Sequence, residues 1–478
     1  MAVILVFNLL ISFQVRSQIP SVETDSTEFE AVQLLSEYIK IASVTGNEKV
    51  AGEFIAAQCH ERGLNIRIFT DSVDCYNFAA SLYPLESLKP NIILLSHLDV
   101  VSSGEDSGWK YPAFSGAVVG DTIWGRGAID MKEATIMHLL AASAFAERAS
   151  SEELPLNVTL LCVSGEETYG VRGSKIVSEI YWPELNAIIV FGEGGIGITG
   201  LLSKTPEKPV FFISLNEKRA LWLELNLNYK TSGHGAVPPP EYASRIMVKS
   251  LSGLVKANPR IRFNYDNMTM LRAYGDLEQG LTGFLLKTPV LFKPLVASGL
   301  RKNPMMLSTV TNTVTITHMA SEETDINQIP QKVKVFLDCR LLPETSTSWF
   351  IDYVNRKLNH SQIGISILHE TQNAVTTVPD RYYELFVEAL NETYPGCGII
   401  PVLFPATTDN NYFRNKGLPV FGVIPVILEQ ELLETIHNYN ERLPVGTLIS
   451  GTEVYTRFIE KLLPETFYKT DSLAVSER

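Results

Sequence analysis

Three uninterrupted apolar runs constrain the fold of this chain more than any other feature of its sequence. They read NIILL at 91–95, NVTLLCV at 157–163 and NAIIVFG at 186–192. Strands that are apolar at successive positions are typical of a parallel sheet buried on both faces. Because DMKEATIMHLLAASAFAERA at 130–149 has the length of a crossover helix between two of these runs, the pattern predicts an α/β fold with a central, mostly parallel sheet.

The pattern changes near residue 216. RALWLELNLNYK at 219–230 alternates apolar and polar positions, as an antiparallel strand with one solvated face does, and the earlier helix–strand pattern returns from about Thr376. A length of 478 residues accommodates two or three domains. We therefore predict one α/β domain in two parts, 18–215 and 373–478, interrupted by a smaller α+β insertion at 216–372.

The N-terminus has the composition of a secretory signal peptide. The apolar stretch Ala2–Phe13 is shorter than the ~20 residues that span a bilayer, and Val15–Ser17 offers a small-residue cleavage site before Gln18. We expect residues 1–17 to be a signal peptide of a secreted or periplasmic protein, the alternative being a buried N-terminal helix. No later stretch of the sequence has the length and apolarity of a membrane span, so none is predicted.

The charge balance indicates which partners the chain binds. Its net charge is -13, and it contains no run of Lys and Arg of the kind that contacts phosphates, so nucleic acid is not an expected partner. Five cysteines form no C-x-x-C pair, and Cys162 and Cys339 fall inside predicted strands, where a buried thiol is the simplest interpretation.

Acidic side chains and a histidine follow the three apolar runs. Ligands of open α/β sheets bind beyond the carboxyl ends of the strands. Taken singly, each of these residues could be an ordinary turn residue or a helix N-cap. Together, several carboxylates at one sheet edge repel one another unless a cation is present, and carboxylate with imidazole is a ligand set for zinc. The sequence therefore predicts a metal site that includes His97, Asp99, Asp130, Glu166, Glu167 and Glu193.

A rival motif overlaps this set. GEGGIG at 192–197 matches the glycine pattern of dinucleotide-binding turns and follows a strand. That pattern must open a helix, but the next residues, ITGLLSKTPEKP, are rich in Gly, Thr and Pro and have no helical period. A nicotinamide site is therefore not expected.

Five short motifs resemble, in order and spacing, those of the dizinc exopeptidase family that includes aminoacylase, carboxypeptidase S, carboxypeptidase G and succinyl-diaminopimelate desuccinylase. They are SHLDVV, WGRGAIDMK, SGEETYG, GEGG and IHNYNERLP. The resemblance covers nearly the whole chain after residue 17 and is closest to carboxypeptidase S and the secreted N-acyl-amino-acid hydrolases. It implies a zinc-exopeptidase-like catalytic domain interrupted by a lid or dimerisation domain, through which the chain could form a homodimer.

The resemblance also implies residue roles. His97 and Glu193 would hold one zinc ion, Glu167 and His437 the other, and Asp130 would bridge the two. Asp99, two residues beyond His97 on an extended segment, would orient its ring. Glu166 would be the general base that takes a proton from the water between the metals.

Further positions in the lid are implied in the same way. His234 in TSGHGAVPP would stabilise the oxyanion, in dimeric relatives from the opposite subunit, and Arg340 and Asn312 match positions near the substrate. Arg340 has an alternative role as the ion-pair partner of Asp338 or Glu344. Relatives carry an arginine for the substrate carboxylate where this chain has Asn411, so either Arg414 replaces it or carboxylate binding is weaker.

The lid of the closest relatives carries an extra segment, which would be residues 264–300 here. Its part from Gly280 to Leu300 is strongly apolar; it is either lid core or a surface over the site that favours long or bulky acyl groups. We expect a zinc-dependent hydrolase that cleaves the amide linking an acyl or aminoacyl group to a C-terminal amino acid. A carboxypeptidase or dipeptidase, and a non-catalytic binding protein of the same fold, are the alternatives.

Overall fold

The computed structural model describes residues 26–463 except 232, 323 and 324. The expected signal peptide at 1–17 lies outside the described residues. Within them, no helix is both long enough and apolar enough to cross a membrane. All five cysteines are buried as free thiols.

Seventeen strands of the described residues form three sheets. Their bounds are β1 Asn65–Ser72, β2 Cys75–Ser81, β3 Asn91–His97, β4 Ala117–Val119, β5 Thr122–Trp124, β6 Asn157–Val163, β7 Ala187–Gly192, β8 Gly197–Ile198, β9 Val210–Glu217, β10 Arg219–Asn228, β11 Thr313–Ser321, β12 Lys332–Leu341, β13 Gly364–Glu370, β14 Gly398–Phe404, β15 Val420–Gly422, β16 Ile427–Leu428 and β17 Arg442–Pro444.

Sixteen α-helical segments connect the strands of the described chain. Their bounds are α1 Ser26–Lys40, α2 Lys49–Glu61, α3 Lys132–Ser143, α4 Ala146–Ser151, α5 Ser174–Ile176, α6 Trp182–Leu185, α7 Ala243–Val255, α8 Tyr265–Glu278, α9 Gly280–Lys287, α10 Lys293–Leu300, α11 Pro304–Thr309, α12 Thr347–Leu358, α13 Arg381–Thr393, α14 Asn410–Arg414, α15 Gln430–Leu433 and α16 Val445–Leu462. A π-helical turn, Val177–Tyr181, joins α5 to α6, and Glu166–Thr168 forms a single 3-10 turn.

The large sheet has ten strands in the order β1-β2-β6-β3-β7-β15-β9-β8-β16, with β14 also paired to β9. Its centre, β6-β3-β7-β15, is parallel, and every residue of β3 and β6 is buried. This confirms the interpretation of the continuous apolar runs, because both faces of these strands are covered. Antiparallel β1, β2 and β8 lie toward the edges, so the sheet is mixed. The expected crossover helix is α3, which packs between the sheet and α16.

The small sheet has four antiparallel strands in the order β11-β12-β10-β13. Inward positions of β10 alternate with half-buried ones, as the sequence predicted, and α7 and α12 cover the buried face. The chain passes from the large sheet to the small one at Lys218, between β9 and β10. All four strands lie within the predicted insertion 216–372.

The extra segment does not belong to this small sheet. Helix α8 packs on β14, and buried residues of α8 to α11 form one apolar core with strands of the large sheet. That core includes Met270 and Met306 from the helices and Phe212 and Val402 from β9 and β14. The apolar side chains of residues 264–300 therefore pack on strands of the large sheet, and the assignment of this segment to the lid stays a prediction.

Candidate metal centre

Three parallel strands bring the acidic residues together. In the ladder His97 lies opposite Val163, and Leu94 lies opposite Phe191, so β3, β6 and β7 end at the same edge of the sheet. His97 is the last residue of β3, the 3-10 turn with Glu166 and Glu167 follows β6, and Glu193 follows β7. GEGGIG leads into β8 rather than a helix, as expected.

Asp130 lies between two imidazoles. Its Oδ1 is 3.1 Å from His97 Nε2, and its Oδ2 is 3.1 Å from His437 Nε2. Glu167 Oε1 is 3.2 Å from the same nitrogen of His437. Ligand atoms of two overlapping groups lie within 4.8 Å of one another: His97 with Asp130 and Glu167, and His97 with Glu166 and Glu193. The two oxygens of this carboxylate thus face two different histidines, which is the arrangement that a bridging ligand requires.

The ring of His97 is fixed in one orientation. Its Nδ1 is 2.8 Å from the backbone oxygen of Asp99, a contact that requires the ring nitrogen to donate. With Nδ1 occupied in this way, Nε2 is the nitrogen left to bind a metal ion, and here it lies within hydrogen-bond distance of Asp130 Oδ1. Asp99 does orient His97, but through its backbone, because its Oδ1 is 3.6 Å from Nδ1.

The carboxylate of Asp99 has a different set of partners. Its Oδ1 accepts the backbone N–H of Glu166 at 3.0 Å, and its Oδ2 accepts that of Glu167 at 3.1 Å. The hydroxyl of Thr45 donates to Oδ2 at 2.8 Å. Asp99 therefore positions the turn that carries both glutamates, a role that the sequence did not reveal.

Glu441 is a positioning residue that the sequence analysis missed. Its Oε1 accepts the backbone N–H groups of Ile129 and Asp130 at 2.8 and 3.2 Å, and its Oε2 pairs with Arg126 at 2.6 Å. Both side chains of this ion pair are almost fully buried. The signal was available, because Glu441 stands four residues after His437 within IHNYNERLP. It ties the loop of His437 to the loop of Asp130.

Burial and charge shift the titration of these groups. Burial, with repulsion from Glu193, raises the pKa of Glu166 well above its usual range, and burial raises the pKa of Glu193 to about 8. The neighbouring carboxylates of Asp130 and Glu167 raise the pKa of His437 to about 10. Carboxylates crowded in this way are stabilised in their charged form by a cation.

The residues fit two divalent metal ions. Glu167 Oε1 is buried and lacks a well-directed hydrogen-bond donor, and Nε2 of His97 would offer its lone pair to a metal ion beside Asp130. Nitrogen and oxygen ligands of this kind suit zinc, and a carboxylate shared between two sites suits a pair of ions. The same donors as the sequence predicted are thus within reach of one centre.

Two cavities meet at this centre and share Asp130, Glu193, Phe404 and Ile436 as lining residues. The first is a polar cleft of about 760 Å³ between the two sheets, and its lining contains the cations Lys175, Arg340 and Lys416. The second is a smaller apolar cavity of about 230 Å³ beneath α8 and α11.

The three lid residues are placed differently from one another. Arg340 lines the polar cleft while its guanidinium makes two hydrogen bonds to Asp338, of 2.7 and 2.9 Å, which was the alternative considered for it. His234 is exposed, is 3.2 Å from the Asn327 amide, and does not line the cleft described here. Asn312 lies away from the centre, where its side chain accepts the N–H of Leu342 at 2.7 Å. The expected substrate contact of Asn312 stays a prediction.

The position of Arg414 differs from the one expected for a residue that binds the substrate carboxylate. Its side chain is fully buried, pairs with Glu217 at 3.1 Å and donates to the backbone oxygen of Ser214 at 3.2 Å. It does not line the described cleft, so it cannot replace the arginine missing at position 411. Asn411 does line the cleft, and its amide donates to the backbone oxygen of Gln372 at 3.2 Å.

Comparison with known proteins agrees with this geometry. The profile of Peptidase family M20/M25/M40 matches residues 93–461. The chain belongs to this family, and it is a metal-dependent hydrolase of the metallopeptidase and amidohydrolase type.

Individual relatives match over most of the chain. The mouse (Mus musculus) N-fatty-acyl-amino acid synthase/hydrolase PM20D1 is 24% identical over 93% of this chain and 90% of its own length. Aminoacylase-1A of the rat (Rattus norvegicus) is 22% identical over 91% of this chain and 96% of its own. The M20 family metallo-carboxypeptidase Sso-CP2 from Sulfolobus solfataricus shares the fold, with a TM-score of 0.68 and 19% identity over 90% of this chain and 98% of its own.

Proposed function

We propose that this protein is a dizinc hydrolase that releases a C-terminal amino acid from N-acyl amino acids, in preference to dipeptides. The observation that carries the proposal is the position of the metal centre between a polar cleft with cationic side chains and an apolar cavity. An amide bond at the centre would place the carboxylate of the amino acid in the polar cleft and the acyl group in the apolar cavity. The α-ammonium of a dipeptide would instead be buried beside apolar side chains.

Five residues would hold the metals: His97 and Glu193 one ion, Glu167 and His437 the other, and Asp130 both. Two zinc ions supply Lewis acidity for the scissile carbonyl and lower the pKa of a water between them. Glu166 lies in the same cluster and is buried, with its amide fixed by Asp99. It would accept the proton of the attacking water and pass it to the leaving amine.

Arg340 and Lys175 are the candidates for the carboxylate of the leaving amino acid. Both line the cleft, and the two hydrogen bonds that the Arg340 guanidinium donates to Asp338 hold it at the cleft wall. A guanidinium offers five donors, so three remain for a second carboxylate while Asp338 is bound. This assignment leaves Asn411 without an ionic role.

Secretion and dimer formation extend the proposal. The apolar stretch Ala2–Phe13 supports export. Exposed His234 would act at the centre of a second subunit, because in its own chain it does not line the cleft.

A comparison of two substrates tests the proposal. Purified protein loaded with zinc is assayed on N-acyl-phenylalanine and on leucyl-phenylalanine, which release the same amino acid. We expect a kcat/KM at least tenfold higher for the N-acyl compound. Equal or higher activity on the dipeptide would identify a dipeptidase instead, and zinc binding without turnover of either substrate would identify a binding protein.

A further inference from the structure

The apolar cavity beneath α8 and α11 is larger than packing defects in protein cores. Interiors contain few voids larger than one water molecule, whose share of liquid volume is ~30 Å³, whereas this cavity measures about 230 Å³. Among its described lining residues only Asp130 and Glu193 are charged, and both belong to the metal centre. The hydroxyl of Thr309, the one polar uncharged side chain, already donates to a backbone oxygen at 2.8 Å.

The far wall of the cavity is built from methionines of the inserted helices. Met270 of α8 is fully buried, Met306 of α11 is almost so, and Met305 beside it is half-exposed. Methionine side chains are unbranched and flexible, so they adapt to apolar ligands of different length. Asn303 caps α11 by accepting the N–H of Met306 at 3.1 Å, which fixes where the two adjacent methionines stand.

The near wall belongs to the catalytic side. Phe212 and Val402 come from β9 and β14, and Ile436 directly precedes His437. The cavity therefore begins at the metal ligands and ends at α8 and α11. None of the described residues 280–300 lines it, so the apolar segment expected to contact acyl groups is not the part that does so.

We infer that this cavity is the binding site for an unbranched alkyl chain of the acyl group, and that Met270 and Met306 set the chain length that the enzyme prefers. The inference rests on the proposed function, since the acyl carbonyl must lie at the metal centre for its chain to enter here. An alkyl chain that enters this cavity removes apolar surface of both ligand and protein from water. Each added methylene that enters the cavity raises kcat/KM about fourfold, the equivalent of ~0.8 kcal/mol, until the cavity is full.

The first test is the chain-length profile of the zinc-loaded protein on N-acyl-phenylalanines from acetyl to tetradecanoyl. We expect a steep rise followed by a plateau. The Met306→Ala variant enlarges the cavity and should move the plateau to longer chains. Met247→Ala is the matched control, because Met247 is also buried but belongs to the core of the small sheet; its profile should keep the plateau of the unmodified protein.

A second variant fills the cavity. Thr309→Phe places a ring at its wall and should lower the ratio of dodecanoyl to acetyl kcat/KM at least tenfold. Calorimetry of dodecanoate binding provides a readout without turnover. It compares the Thr309→Phe protein with the unmodified protein, after thermal melting has shown that each is folded. We expect binding that the ring weakens at least tenfold.

The outcomes separate the two proposals. Turnover with a flat chain-length profile, or a plateau that Met306→Ala leaves in place, overturns the cavity assignment while the amidase proposal stands. Dodecanoate binding that Thr309→Phe weakens, in a protein that hydrolyses no N-acyl amino acid, supports the cavity and overturns the proposed function.

Discussion

The carboxylate of Asp99 accepts the backbone N–H of Glu166 at 3.0 Å, while the backbone oxygen of Asp99 lies 2.8 Å from His97 Nδ1. One residue thus sets both the ring of a proposed ligand and the backbone of the proposed base. The Asp99 side chain is buried, and its carboxylate accepts hydrogen bonds there from the hydroxyl of Thr45 and the backbone N–H of Glu167 as well.

Replacing Asp99 by asparagine should disturb the centre without unfolding the chain. The amide group of asparagine turns a donor toward one of the two N–H groups that the carboxylate accepts, so one of them loses its partner. Changes in such supporting residues lower metal affinity or activity about 10- to 100-fold. Zinc titration and kcat measure the effect, and Asp106→Asn on the exposed 3-10 turn is the control. Unchanged zinc affinity and kcat would contradict this role of Asp99.

Glu166 and Glu167 should differ although they are neighbours. Glu166→Gln removes a proposed base and should lower kcat about 10²- to 10⁴-fold while zinc content stays near two ions per chain. Glu167→Gln removes a proposed ligand, so zinc content should fall as well. Metal analysis of both purified variants decides the assignment, and equal metal loss in the two would refute it.

Glu441 should affect stability and metal binding separately. Glu441→Leu leaves Arg126 buried without its partner, which destabilises a fold by about 3–5 kcal/mol. Adding Arg126→Leu removes the unpaired charge, so the melting temperature should partly recover. Zinc affinity should stay low in the double variant, because the N–H groups of Ile129 and Asp130 still lack their acceptor. Recovery of both properties together would show that Glu441 supports the fold alone.

The sequence predicted which acidic side chains lie together with His97, because parallel strands leave little freedom. Once three buried runs lie side by side in register, the residues after them must meet at one edge, whatever the rest of the chain does. The positions of His97 and Glu193 at this edge follow from that argument alone. Asp99 was placed on the correct segment, but the i, i+2 pattern of a strand does not reveal which of its atoms faces the ring.

Other features depend on partners far away in the sequence. Arg414 is buried because Glu217, on another strand, offers it a carboxylate, and no local pattern around Arg414 shows this. Likewise, the apolar character of residues 264–300 predicted burial but not the surface that buries them. Their partner strands, β9 and β14, are separated from each other by about 180 residues.

His234 should act across a subunit interface if the proposed dimer forms. Mixing a His234→Ala chain with a Glu166→Gln chain creates mixed dimers in which one centre has both groups intact. We expect part of the activity to return on mixing, measured in a preparation in which labelled subunits exchange. Without recovery, His234 acts within its own chain or not at all.

Lys218 offers a prediction about pH, because it lies buried where the chain crosses between the two sheets. Burial, with the nearby charge of Arg340, lowers the pKa of Lys218 to about 7, and its amine donates to the backbone oxygen of Ser308 at 3.1 Å. In the unfolded chain the pKa of lysine is about 10.4, so between these values the unfolded state binds more protons and the contribution of Lys218 to stability rises with pH.

A Lys218→Met variant lacks this titration. Its unfolding free energy should exceed that of the unmodified protein most at pH 7 and below, where the folded state must hold a buried charge. The gap should narrow by up to ~1.4 kcal/mol per pH unit toward pH 9. Urea unfolding at pH 7, 8 and 9 measures it, with Lys256→Met on the exposed end of α7 as the control. A gap that is constant across this range would mean that Lys218 keeps its charge when the protein is folded.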